Sequence, residues 1–293
     1  MAKNNDKLNK LLRHFIDLEL YANGVADEIE ELMHLLYMDC DDVILSLSYL
    51  NTKNDYSLVK SVLKKYISDF EEKFETRLEA EAEKVKDKEL DFLPALFGFT
   101  VGAIALSKIL FTPFDGRDTV KSFTERTVKN ITRTYDTALR SGYIFGQKAS
   151  DVKEQADKNL KQITNGVRNG IITAIPSFAK NTDRIVFLQN KEEVVWVATL
   201  DGKTCLTCTS LSGIHYKSVS EAPIIPHDRC RCILCPASEI KEPVPTFQEY
   251  INSLDEEGQK HALGPKRFEL WKQYDMPLEK FLNDGRVIPL KDL

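Results

Sequence analysis

The sequence is poor in the residues that make turns. Glycine occurs 13 times and proline 11 times in 293 residues. That argues against an all-β or collagen-like chain and for long helices. An excess of one charge is also missing. The net charge is only -5, which excludes a wholesale nucleic-acid coat and leaves room for local basic faces. No apolar leader follows the polar first ten residues, so a cytosolic starting compartment is expected. No stretch reaches the roughly 20 apolar residues of a membrane span. The uncharged run at residues 92–107 is short, carries Pro94, and sets Gly98 and Gly102 one turn apart. It is expected as a buried helix or helical hairpin rather than a stable span. The signatures GxxxxGK[ST], GxGxxG, HExxH and GxSxG are absent, and no carboxylate pair stands out, so an enzyme is not expected.

What is present is helical periodicity. Hydrophobic residues make up 42% of the chain, enough for a sizeable core. Leu8, Leu11, Leu12, Phe15 and Ile16 lie on one helix face, as do Ile29, Leu32, Leu35 and Leu36, with Asn23-Gly24 expected to break the two. A longer pattern runs from Tyr56 through Phe70 and Phe74 to Leu78, and the acidic stretch at residues 79–91 reads as a solvated face. After a break at Thr112-Pro113 and Asp115-Gly116, Val120, Phe123, Thr127, Ile131 and Tyr135 form one stripe. Val152, Ala156, Leu160, Ile163 and Val167 form another, with Ser150 as its N-cap. Residues 117–168 hold eleven Lys/Arg and six Asp/Glu. The plain reading is a solvated face. The sharper one is contact with DNA, though no interleaved aromatics support base stacking.

The texture changes near residue 181. Arg184 to Leu188 and Val194 to Thr199 read as short β-rich runs, and Asp201-Gly202 as a turn. The expected fold is therefore α+β and predominantly α. Its parts are a helical N-terminal region (1–115), a central helical region (116–182), a β-containing Cys/His-rich module (183–242) and a C-terminal helical tail (243–293).

Five of six cysteines fall in that module. Cys205-x2-Cys208 is followed, eighteen residues on, by His227-x2-Cys230-x-Cys232-x2-Cys235. Two close thiols on a tight turn can face one tetrahedral ion, and a distant second pair closes the site. A structural Zn2+ is the expected cofactor. Cys205, Cys208 and Cys230 are the leading ligands, His227 and Cys232 compete for the fourth place, and Cys235 is the outsider. Free packed thiols and disulfides are the competing readings. An HNH-type nuclease would need a His-Asn-His order that His215 and His227 do not supply. His14, His34 and His261 fall in helical stretches and read as surface or interface residues. Cys40 reads as a core residue.

The run from Trp196 through Asp201, Thr204 and Cys205 to Cys208 resembles the "W-x-x-x-x-D-x-R-T-C-x-x-C" signature of Mu F-like phage head-morphogenesis proteins, also called minor capsid or minor head proteins. Pro226-His227-Asp228-Arg229-Cys230-Arg231-Cys232 is similar to the family's "P-x-H-x-x-C-R-C" step. Leu211-Ser212-Gly213, Leu263-Gly264-Pro265 and the closing Leu290 to Leu293 match further steps. The resemblance spans about residues 117–293. Lys203 replaces the usual Arg, Asp228 the usual Pro, and Cys235 is extra. It implies a low-copy structural protein of a tailed phage or prophage. Such a protein sits in the capsid interior at the portal vertex, and in the host cytoplasm during assembly. It docks on the portal protein, with scaffold or major capsid protein and packaged DNA as further contacts, and assists procapsid assembly, packaging or DNA ejection. No toxin domain is expected after the module. Two other classes compete: a zinc-stabilised DNA-binding module and a metal-dependent hydrolase.

Overall fold

The computed structural model describes residues 5–224, 227–283 and 286–293. It is 69% helical with few short strands, so the α+β, mostly helical class holds. Five helices come first: α1 (Asp6–Leu45), α2 (Lys53–Phe97), α3 (Leu106–Leu110), α4 (Val120–Phe145) and α5 (Ala149–Gln189). Strand β1 (Val194–Val197), helix α6 (Leu206–Leu211), β2 (His215–Tyr216) and β3 (Ile233–Pro236) follow. Helices α7 (Phe247–Ser253), α8 (Glu256–Leu263) and α9 (Pro265–Gln273) and the small pair β4 (Leu282–Asn283) and β5 (Arg286–Val287) complete the chain.

The chain divides into two compact units. Unit 1 comprises Met1–Asp17, Glu89–Ile104 and Lys180–Leu293; unit 2 comprises Leu18–Lys88 and Ala105–Ala179. Helices α1, α2 and α5 are continuous through the division.

Unit 2 is helical. Along α1 its buried residues include Leu18, Ala22, Val25, Ile29, Met33, Leu36, Cys40 and Ile44, steps of three and four that keep one face inward. Phe74 of α2 and Phe123 of α4 lie 5.8 Å apart, and Phe114 meets Phe123 edge-on at 5.4 Å. Helix α5 passes α4 closely because Gly170 has no side chain: a Cβ there would sit 2.4 Å from Phe123 Cζ. Thr119 caps α4 in a reciprocal capping box with Ser122. Ion pairs join the helices at their rims, Lys153 with Asp41 (3.1 Å) and Arg168 with Asp27 and Glu30 (2.5 and 2.9 Å).

Several local expectations give way. Helix α1 runs through Asn23-Gly24 without a break. Asn23 bonds back to the Glu19 carbonyl (2.7 Å), and the ~1 kcal/mol cost of a mid-helix glycine is small beside the buried face. The acidic stretch is not wholly solvated, since Glu81 and Glu89 are buried. Glu81 accepts from Arg77 (2.9 Å) and from Tyr21. In unit 1, α2 carries Pro94 and ends at Phe97, and Gly98 turns the chain at φ +79°. Residues 98–105 then run without regular structure. Their backbone is clamped by the end of α5, with Thr100 and Asn190 exchanging hydrogen bonds and Gln189 accepting from Gly102. Among the described residues no helix is long and apolar enough to cross a membrane. Residues 184–188 belong to α5, not to a strand. Val186 and Phe187 continue the buried face of Phe178 and Ala179 at helical spacing, so packing overrides β-propensity. Helix α5 begins at Ala149, one residue before Ser150. His14 is half-buried rather than free on the surface. It stacks on Phe92 (3.9 Å) and bonds Glu89 Oε1 at 2.5 Å.

Candidate metal centre

The centre is built on a three-stranded antiparallel sheet, ordered β2-β1-β3. Val195 of β1 lies opposite Cys235 of β3 and His215 of β2, and all four residues of β1 are buried. Leaving β1, the chain turns through Leu200 (φ +48°) into Asp201. The Asp201 carboxylate accepts from Lys203 N (2.9 Å) and Thr204 Oγ1 (3.1 Å). This closed turn delivers Cys205 to the N-cap of α6, where its Sγ accepts from Cys208 N (3.4 Å). The three-residue spacing then brings both sulfurs to the same end of the helix.

The second half arrives on the segment before β3. His227 Nε2 lies 3.0 Å from both Cys205 Sγ and Cys208 Sγ, and Cys208 Sγ lies 3.6 Å from Cys230 Sγ. Donor atoms fall into two overlapping triads, Cys205/Cys208/His227 and Cys208/Cys230/Cys232, each with all atoms within 4.8 Å of one another. Cys208 belongs to both. A tetrahedral ion with ordinary Zn–S and Zn–N bonds spaces its ligands about 3.5–3.8 Å apart; the Cys208–Cys230 contact falls within that range, and the two His227 contacts are about 0.5 Å shorter. His227 turns its Nε2 to the sulfurs. Its Nδ1 donates to the Asp228 carbonyl at 2.7 Å, which orients the ring, and a cation in the cluster would take the place of the Nε2 proton. The Cys/His cluster can therefore hold a metal ion.

The electrostatics agree with an anionic pocket. Cys205 is lowered to about 4, chiefly by the hydrogen bond from Cys208 and then by His227. Cys230 is lowered by Cys208, then by Cys232, with the Lys180 ammonium adding to it. Cys208, which serves both neighbours, is pushed up by the same contacts. His227 is raised to about 9 by Cys205. Crowded sulfurs cannot all ionise unless a cation sits among them. Cys235 stands apart on β3. It is fully buried, belongs to neither triad, and burial pushes its thiol to about 12. Cys40 is buried in unit 2.

Residues outside the donor cluster hold this geometry. Arg231, between the two cysteines of the CxC step, grips Asp201 with two 2.6 Å bonds, and that guanidinium holds the Asp201 carboxyl well below the usual carboxylate range. Tyr250 Oη donates to the Asp201 carbonyl (3.2 Å), and His261 Nε2 reaches the Gly202 carbonyl (3.2 Å), so the tail clips the same turn. On α5, Arg184 donates to the carbonyls of Pro223, Val219 and Ala222 at 2.8–3.0 Å. One turn earlier, Lys180 donates to the Cys230 carbonyl. Asp201, Arg231 and Trp196 were legible as motif residues. Lys180, Arg184, Tyr250 and His261 were not. The sequence signal for the first two is a basic pair at i, i+4 that brackets the polar residues Asn181, Thr182 and Asp183. Pro226 lies outside the described residues.

Behind the cluster a cavity of about 30 Å³ is lined by Lys180, Asp183, Trp196, Cys230 and Cys232, among others. That is room for about one water. Comparison with family models, with curated proteins and with solved structures finds no match for this chain.

Proposed function

We propose that the cluster is a structural zinc site and that the chain is a non-enzymatic minor head protein of a tailed phage or prophage, docking on the portal inside the capsid. The observation that carries this reading is convergence. The residues of the Mu F-like signature, Trp196, Asp201, Thr204, Cys205, Cys208, His227, Cys230 and Arg231, build one turn, one helix cap and one donor cluster. Thiolate and imidazole donors in this number suit zinc. Four of the five fill a tetrahedron, with His227 and Cys232 competing for the last place. The adjoining cavity, at about 30 Å³, is far below the roughly 300–1,000 Å³ of small-molecule sites, which favours a stapling over a hydrolytic metal. Elemental analysis of reduced protein should return about one zinc per chain. Co-expression with portal should retain the chain on portal rings or procapsid shells. A chain that never co-purifies with either defeats the head-protein reading, and a zinc content near zero defeats the metal.

A second reading has its own observation. Between α4 and α5 an open groove of about 600 Å³ is lined by Arg126, Asn130, Arg133, Thr134, Asn159 and Gln162, with no carboxylate among its lining residues. These are the side chains that contact DNA backbone, so packaged DNA is the partner this face suits. Binding that falls steeply with salt would support it; binding absent at low salt would remove it.

A further inference from the structure

The far end of unit 2 presents a different groove. The last turns of α1 and the first turns of α2 enclose about 430 Å³. Its floor is apolar: Val43, Leu47, Val62 and Tyr66 are only half-buried, and Leu58 is 59% exposed. Such side chains stand in water at a cost unless something covers them. Its rim is acidic. Asp39 and Asp42 come from α1 and Asp55 from α2. Asp39 and Asp42 make no ion pair among the described residues, and Asp55 is bonded locally by Thr52 Oγ1 (2.5 Å).

The positions follow helical spacing on both walls. Residues 39 and 42/43 lie on α1, with 46 and 47 in the turn that follows it; residues 55, 58, 62 and 66 make a stripe on α2. That stripe runs about 17 Å at 1.5 Å per residue, the length of three helical turns. Two helices with a furrow between them take a third helix by the ridge-into-groove rule.

We propose that this groove docks an amphipathic helix of a partner protein, apolar on the face it lays down and basic along the edges that meet Asp39, Asp42 and Asp55. Charge decides against the same groove of a second copy, because two acidic rims would face each other. The inference goes beyond the head-protein reading and does not rest on it.

The test uses the full chain and a labelled Leu/Lys peptide of about 18 residues, with leucines at i, i+3, i+4 and i+7. A scrambled peptide of the same composition and a Leu/Glu version serve as probes of specificity. Fluorescence anisotropy should show saturable binding of the patterned Leu/Lys peptide, about tenfold tighter than the scramble. Leu58→Glu, at an exposed position, should weaken it about tenfold or more. Asp39→Asn with Asp42→Asn should weaken it a few-fold and flatten its salt dependence. Leu20→Glu, at an exposed leucine elsewhere on α1, should leave it unchanged. Circular dichroism confirms that each variant is folded. Equal binding of patterned and scrambled peptides, equal binding of the Leu/Glu peptide, or an unaffected Leu58→Glu overturns the proposal. So does reversible self-association that Leu58→Glu abolishes while the peptide fails to compete.

Discussion

Unit 2 and the cysteine module of unit 1 are held together by different physics. In unit 2, long helices bury periodic apolar faces, and aromatic contacts such as Phe74 with Phe123 fill the middle. The module has a four-residue central strand, a six-residue helix and a two-residue edge strand. Elements that short cannot stand on propensity or burial alone. Their order comes from carbonyls satisfied by Arg184, from the Asp201–Arg231 pair and from the donor cluster. Damage should therefore stay where the matching kind of interaction is concentrated.

The largest expected effect breaks the comparison if it spreads. On the proposed zinc reading a chelator would strip the ion from the cluster, and Cys208→Ser removes the donor common to both triads. Structural zinc is worth about 10–16 kcal/mol in small metal-dependent folds, so residues 199–235 should lose amide protection while α4 keeps its own. Hydrogen exchange by mass spectrometry reads both in one experiment. Cys235→Ser should keep about one zinc per chain by the four-ligand rule. Uniform loss of protection across α4 would mean that the two regions are not energetically separable.

The complementary lesion is Phe74→Ala. Phe74 is fully buried, and truncation should cost about 3–5 kcal/mol. Thermal or urea unfolding should show it, while zinc content stays at the wild-type value. Loss of zinc in a still-folded Phe74→Ala protein would contradict the division of labour.

A smaller effect concerns a buried acid in unit 1. Asp183 is raised well above the ordinary carboxylate range, first by desolvation and then by the Glu89 charge, with His14 and Lys180 opposing. A raised folded-state pKa means that the folded chain keeps a proton the unfolded chain releases. The contribution is thus full below about pH 4 and is lost as pH climbs toward the folded value. Asp183→Asn keeps a side chain able to bond Glu89. It should stabilise the protein by roughly 1–2 kcal/mol at pH 7 and flatten the pH profile above 4. Urea midpoints at several pH values decide it; a destabilised variant at pH 7 would reverse the sign.

The same contrast explains what the sequence disclosed. Stripes such as Phe123, Thr127, Ile131 and Tyr135 were legible because burial on a helix repeats every three to four residues. The donor cluster was legible because CxxC and HxxCxC place ligands by short-range spacing. Residues 184–188 were misread since a pentapeptide with Ile185, Val186 and Phe187 at its centre carries no mark of the helix it extends. Lys180 and Arg184 were invisible in their role because their partners are backbone carbonyls 35–50 residues away, and a carbonyl leaves no trace in sequence.

Asp201→Asn isolates the finest difference between the regions. Asparagine keeps an acceptor for Lys203 N and Thr204 Oγ1 and removes the charge and one of the two acceptors facing Arg231. The Asp201 side chain is 42% exposed, so the direct loss in stability is small, about 0.5–1 kcal/mol after screening. Its depressed pKa fixes the direction: the increment is present above about pH 4 and fades as pH falls below that. Arg231 lies between Cys230 and Cys232, so freeing it loosens both second-half thiols. Zinc affinity should drop about tenfold or more, as is usual when a group supporting the ligands is lost. Arg231→Lys, which cannot bond both carboxylate oxygens in the same fork, should fall between wild type and Asp201→Asn. Breaking the Arg168–Asp27 pair of unit 2 should give a similar small change in stability and none in metal binding. Competition against a chromogenic chelator measures the affinities. If both pairs leave zinc binding untouched, Asp201 and Arg231 merely decorate the turn, and the cluster is positioned by α6 and β3 alone.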